Sequence, residues 1–276
     1  MGIQKISWSR RANILVVFVA VMTASAPAQS EELRDLCADR PGLGTPSCTV
    51  DKGHLVLELG IANWTRDDQG PIRTDTVTGG DALLRYGVTE TMEAQIGWTA
   101  FGRVRERDAS SGMIDRTSGA GDLLVAVRQN LRSPDGSGFS AAIMPYATLP
   151  AGRTSIGAGD WGAGLIVPVS VEVGRGFSLA ASPQIDAAVN SDGSGRHLGY
   201  GSVIGVQIAL GADLSLTEEV SVYRDEDPSG AVTEARNGLS LAWTRGENSQ
   251  WDLGGSYGLN RNSSDLELSF GYVVRF

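Results

Sequence analysis

The sequence predicts an all-β fold, a closed antiparallel transmembrane barrel of about twelve strands in up-and-down order. Three observations carry that reading. Beyond Gly53 there is no second long apolar stretch, and segment after segment instead alternates at period two. The connections between those segments alternate short and long, as they do in a barrel whose two ends both lie inside the cell envelope. The final strand closes on an aromatic residue, Phe276.

The first 28 residues pose a different problem. Lys5, Arg10 and Arg11 precede the apolar run Ile14 to Met22, and Ala26-Pro27-Ala28 offers small residues at a cleavage site. Residues 1–28 therefore read as a secretory signal, because the run is too short for a spanning helix. Residues 29–53 read as an N-terminal periplasmic segment. Its two cysteines, Cys37 and Cys48, are the only ones in the chain and bracket the turn-rich stretch Arg40 to Pro46. Export permits a disulfide between them, which in a loop of this size contributes about 3 kcal/mol in the chain-entropy model.

The barrel is expected over residues 54–276. Leu55, Leu57, Leu59 and Ile61 form the first greasy face, followed by a strand centred on Leu84 and then by Met92, Ala94, Ile96 and Trp98. Strands centred on Val125 and Ile143 lead to Trp161, Leu165, Val169 and Val171, then to Phe177, Leu179 and Ile185. Leu198, Tyr200, Ile204 and Ile208 precede a strand centred on Leu216, then Leu239, Leu241 and Trp243, then Trp251, Leu253 and Tyr257. The last face holds Leu266, Leu268, Phe270, Tyr272, Val274 and Phe276. Of these, Phe270, Tyr272, Val274 and Phe276 form the expected C-terminal insertion signal for the barrel-assembly machinery. Tight turns are expected at 89–91, 133–138, 174–176, 211–213 and 246–250. Longer loops are expected at 66–76, 105–119, 150–160, 190–197, 224–237 and 260–264.

A soluble sandwich also alternates, but its polar face meets water. Here that face is mostly Gly, Ser, Ala and isolated charges, which suits a crowded barrel interior. Pro145, Pro183 and Glu218 fall on outward phases, so bulges are expected at both prolines, and either a bulge at Thr217 or a headgroup position for Glu218. With 23 Lys+Arg against 32 Asp+Glu and a net charge of -9, the chain has no basic field to gather nucleic acid.

Short motifs then extend the reading. Asp39-Arg40-Pro41-Gly42, followed by Gly53, Leu57, Glu58 and Gly60, precedes Leu84-Arg85-Tyr86-Gly87 and Glu93. Gly119-Ala120-Gly121-Asp122 and Leu149-Pro150-Ala151-Gly152 follow. Together they resemble the outer-membrane transporters named for the MetA pathway of phenol degradation. The resemblance implies a bacterial outer-membrane barrel that passes small, often aromatic or hydrophobic, compounds.

The inward phases carry charges of both signs that could line a lumen: Glu58, Arg85, Glu93, Arg103, Arg105, Asp122, Arg128, Asp186, Glu267 and Arg275. Such charges either select solutes or pair and fill the bore. The expected partners are outer-membrane lipid and a small solute, with no cofactor and no metal. Asp225 to Gly230 has the start of a calcium loop, but Arg236 stands where a bidentate Glu belongs, so a solvated loop is expected. The chain is not expected to be an enzyme. A lipid hydrolase would need His54 or His197 two places from a Ser on a greasy face, and neither is. A structural or adhesive barrel with a filled lumen is the alternative reading.

Overall fold

The computed structural model describes residues 33–276; the signal-peptide reading of residues 1–28 lies outside the described residues. It contains β1 (Leu55–Gln69), β2 (Ile72–Gly87), β3 (Met92–Asp108), β4 (Ile114–Gly119), β5 (Leu123–Arg132), β6 (Phe139–Leu149) and β7 (Gly162–Ile166). These are followed by β8 (Val169–Gly174), β9 (Phe177–Val189), β10 (Arg196–Ala209), β11 (Leu214–Asp225), β12 (Val232–Thr244), β13 (Ser249–Gly258) and β14 (Leu266–Arg275). Every ladder among them is antiparallel, and β1 pairs with β14, from Val56 opposite Arg275 to Arg66 opposite Leu266, so the sheet closes on itself.

Fourteen segments make twelve wall strands, because two strands are interrupted without loss of register. Along β3, Gly102 faces Gly119 of β4 and Trp98 faces Leu123 of β5 in one continuous ladder. Along β6, Met144 faces Ile166 of β7 and Ala141 faces Val169 of β8. The second interruption falls at Pro168, which has no N–H for the ladder. This corrects the expected bulges. Pro145 and Pro183 keep regular partners in Leu165 and Ser202, Glu218 sits opposite Val206 with no bulge at Thr217, and the register shifts lie at Gly60/Ala62, Asn130/Arg132 and Glu172/Gly174.

The segments 66–76 and 105–119, read as loops, are largely strand. Asp67 pairs with Thr74 and Arg107 with Ile114, so both hairpins continue well past the apolar band. Alternation of Thr with charged residues there carries no apolar face, which is why the period-two signal fades before the ladder does.

The distribution of side chains is inverted relative to a water-soluble domain. Among the described residues only Val50, Val56, Ala126, Ala142, Met144 and Val273 are buried hydrophobics, while Glu58, Arg85, Glu93, Arg128, Glu219, Asp252 and Arg275 are buried charges. Ile96, Trp98, Phe177, Ile204, Leu239, Trp243 and Phe270 are exposed. Hydrocarbon is the solvent that makes such a surface favourable.

Candidate functional site: a bore filled from within

The described part of the segment read as periplasmic lies inside the wall, toward the end that carries the short turns. Arg34 to Lys52 touches inward side chains around nearly the whole ring. The amides of Asp39 and Arg40 donate to Glu58 at 2.9 and 3.0 Å, and Arg40 reaches Asp252 at 3.1 Å. The consecutive amides of Leu43 and Gly44 donate to the two oxygens of Glu219 at 2.6 and 3.0 Å. Thr45 exchanges hydrogen bonds with Ser182, Ser47 meets Ser170 at 2.9 Å, and Val50 donates to Glu93 at 2.7 Å. Arg275 ties down the end of the segment through Asp51 at 3.1 Å and the Arg34 carbonyl at 2.7 Å. A disulfide joins Cys37 to Cys48 and closes the inserted loop.

At the centre is a buried charge cluster. Arg85 grips Glu93 with Nε and Nη2 at 3.0 and 2.9 Å and Glu58 with Nη1 at 2.8 Å, and donates to the Cys37 carbonyl at 2.6 Å. Arg128 meets Asp39 at 2.6 Å, Glu93 at 3.3 Å and the Cys48 carbonyl at 3.1 Å. Two guanidiniums thus face three carboxylates, and the excess negative charge is met by the amides of Asp39, Arg40 and Val50 and by Gln95 at 2.6 Å. Charge-assisted bonds of this kind are what make burial of so many ions tolerable. Both disulfide-bonded residues present their carbonyls to the cluster, so the covalent loop and the ion pairs hold one another in place.

Glycines make the room. A Cβ at Gly60 or Gly271 would run into the Arg40 guanidinium, and one at Gly42 or Gly205 into the Glu219 side chain. Gly60 and Gly271 of the wall therefore mark where Arg40 of the inserted segment passes.

Farther up the bore, Asp122 accepts from the amides of Gly152 and Ala158 at 3.0 and 2.7 Å, which folds residues 150–161 inward. Ile156 of this loop lies where a Cβ at Gly102 would sit. The interruption between β4 and β5 serves the same contact, since the Ala120 carbonyl accepts from Arg153 at 3.0 Å. Asp186 accepts from Tyr146, Tyr223 and Gln184, while Glu267 pairs with Arg236 at 3.1 Å. Beside the inserted segment are two cavities. One of about 330 Å³ is lined by Arg40, Asp81, Gly97, Thr99 and Asp122; one of about 170 Å³ is lined by Leu43, Asn63, Ser256 and Glu267.

Of the ten residues read from the inward phase, Glu58, Arg85, Glu93 and Arg128 come together, and Asp122, Asp186, Glu267 and Arg275 lie elsewhere on the inner face. Arg103 and Arg105 differ. Above the Gly79-Gly80 step, where Gly80 has φ +67°, the inward phase of β3 passes to Gly102, which puts both arginines on the opposite side. Glu219, Asp252 and Ser182 grip the inserted segment although only their phase in the alternation marked them. Asp39, outside the wall strands, was carried only by the resemblance.

Burial alone would raise the Asp39 carboxyl, but the guanidiniums of Arg128 and Arg85 outweigh it and hold it below the usual carboxylate range. A depressed folded-state value means that its contribution is present above the unfolded value of about 3.9 and is lost as pH falls through the lower one. Acid release of the segment by this group is therefore expected only below about pH 4, with none between pH 5 and 8. Proteolysis of the segment across that range checks it; cleavage rising steadily from pH 8 to 5 would contradict it.

A family model described as "Putative MetA-pathway of phenol degradation" matches residues 38–276. Among solved structures, the NanC porin superposes with a TM-score of 0.50 at 10% identity, over 80% of this chain and 98% of that one. The transport unit of the autotransporter AIDA-I from Escherichia coli also reaches 0.50, at 8% identity over 82% and 90%. The CymD monoaromatic hydrocarbon channel matches at 0.43 and 10% identity, over 82% and 89%. A search of curated proteins finds no match. Identities this low bear on the architecture of the wall alone.

Proposed function

Because the chain belongs to the family described by the MetA pathway of phenol degradation, and its bore is occupied by its own N-terminal segment, we propose that it is an outer-membrane channel for small molecules whose resting state is closed. The solute class is small aromatic or hydrophobic compounds. The observation that carries this reading is the way the segment is held. Apart from one bridge between Lys52 and Gly87 its described residues add no strand to the sheet; a small apolar contact of Leu36, Ala38 and Val50 with Val56 and Val273 and an amide bond from Thr49 to the Pro134 carbonyl aside, its attachments are mostly hydrogen bonds and ion pairs to wall side chains. Polar attachments can be exchanged for water at modest net cost, unlike a ladder or an apolar core.

The motifs behind the family resemblance support the same reading. Asp39, Arg40, Glu58, Arg85 and Glu93 are the clasp of the segment, and Asp122 with Gly152 is the clasp of the upper loop. The C-terminal Phe276, 63% exposed and paired through its backbone with Leu55, suits a recognition signal for barrel assembly. The filled bore also favours a second reading, a structural barrel that passes nothing.

Efflux from liposomes separates the two. Vesicles loaded with phenol-sized aromatics and, separately, with a disaccharide are expected to lose the aromatic faster when the full-length barrel is present. Equal and negligible loss of both, from folded full-length protein and again from folded protein lacking residues 34–52, would leave only the structural reading.

A further inference from the structure

At the end of the barrel opposite the inserted segment, three side chains form a cluster that the channel reading does not use. His197 of β10 stands between residues 190–195 and 226–231, with its side chain only 5% exposed. Asn190 donates its amide nitrogen to the Ser194 carbonyl at 2.6 Å, which leaves its Oδ1 facing His197 Nδ1 at 3.0 Å. An acceptor there requires that Nδ1 carry the hydrogen. In the neutral ring Nε2 then presents a lone pair. It lies 2.8 Å from Asp225 Oδ1 yet makes no hydrogen bond. One donor atom from each of His197, Asp225 and Asp227 fall within 4.8 Å of one another.

Asp225 stands at that lone pair and Asp227 Oδ2 approaches the same ring 3.5 Å from Nδ1, so two carboxylates meet one buried imidazole. We propose that His197 Nε2, Asp225 and Asp227 bind a first-row divalent metal ion of the zinc or cobalt kind. The hydrogen bond from Nδ1 to an amide oxygen is the outer-shell support that metal-bound histidines ordinarily have, fixing the tautomer and aiming the ring. An imidazole ligand selects against magnesium and calcium, which take oxygen. Bond lengths near 2.0 Å place neighbouring ligand atoms about 3.3 Å apart, so the cluster closes on an ion with small side-chain movements. Asp227 Oδ1 already accepts from the Ser229 amide at 2.7 Å and the Ser191 hydroxyl at 3.2 Å, whereas Oδ2 accepts only from the Ser191 amide at 2.7 Å and retains a lone pair. Those contacts hold its carboxyl well below the usual range, with the Ser229 side chain contributing most, and keep it charged.

The ion would fasten two external loops together. A third is already attached, because Arg196, next to His197, pairs with Asp160 at 3.0 Å and lies 4.3 Å over the Trp161 ring.

The test is titration of the tag-free, metal-stripped barrel in detergent with Co²⁺, followed by visible absorption. Saturation at one equivalent, displaced by Zn²⁺, is expected. His197→Gln and Asp225→Asn should each weaken uptake at least about tenfold, the scale of first-shell loss implied by outer-shell effects of 10 to 100-fold. Glu90→Gln at the far end should leave it unchanged. Far-UV circular dichroism confirms that each variant is folded, and either of the first two suffices. Absence of saturable uptake, or uptake indifferent to both substitutions, overturns the proposal. So does a proton in the ion's place, seen as a His197 ring that titrates to imidazolium with no response to Co²⁺.

Discussion

Deleting residues 34–52 raises single-channel conductance in planar bilayers at least about tenfold, since a bore filled by side chains and chain excludes water whereas an emptied twelve-strand one admits it. The emptied lining keeps Glu58, Glu93, Glu219 and Asp252 against Arg85, Arg128 and Arg275, so the larger current should also favour cations slightly. A milder variant guards against a deletion that fails to insert. Cys37→Ser with Cys48→Ser removes the covalent loop and leaves every wall residue in place; it should give brief openings of the same large size. If both variants conduct no more than the parent, the inserted segment is not what closes the bore.

Arg85→Ala should lower the stability of the barrel by about 3 to 5 kcal/mol, the range for removing one partner from a buried ion cluster. Three carboxylates would be left with Arg128 alone, and the Cys37 carbonyl would lose its donor. Urea unfolding in lipid or detergent measures the loss. Arg85→Lys should recover only part of it, because a single ammonium cannot span Glu93 in bidentate fashion while also reaching Glu58. Arg85→Met combined with Glu93→Gln should fare better than Arg85→Ala, since the excess charge then falls. A change below about 1 kcal/mol for Arg85→Ala would mean that water enters the cluster and screens it.

The wall was readable in the sequence because lipid imposes a strict alternation. All twelve expected strand centres, from Leu57 to Phe270, fall in wall strands. What the alternation could not show is partnership. Glu219 and Asp252 lie on inward phases, but nothing within their own strands says that they grip Leu43, Gly44 and Arg40. Such contacts join residues up to 241 positions apart and leave no periodic trace. Arg103 and Arg105 were misplaced for a related reason. A single step at Gly79-Gly80 reverses the phase of the upper parts of β2 and β3, and no neighbouring side chain announces the step. The hairpins over 66–76 and 105–119 were missed because they stand where an apolar face is no longer required.

The ring closes by joining β1 to β14, the first described strand to the last. The other strands pair with neighbours close in sequence, but β1 and β14 each lack one neighbour until the whole chain is available, so the sheet keeps two open edges until its last strand arrives. During that interval the greasy faces of unassembled strands meet water, a state prone to aggregation. The cysteine loop is different. Spanning only 11 positions, it can oxidise early, so it can arrive at the membrane as a small finished piece around which the staves are later drawn together.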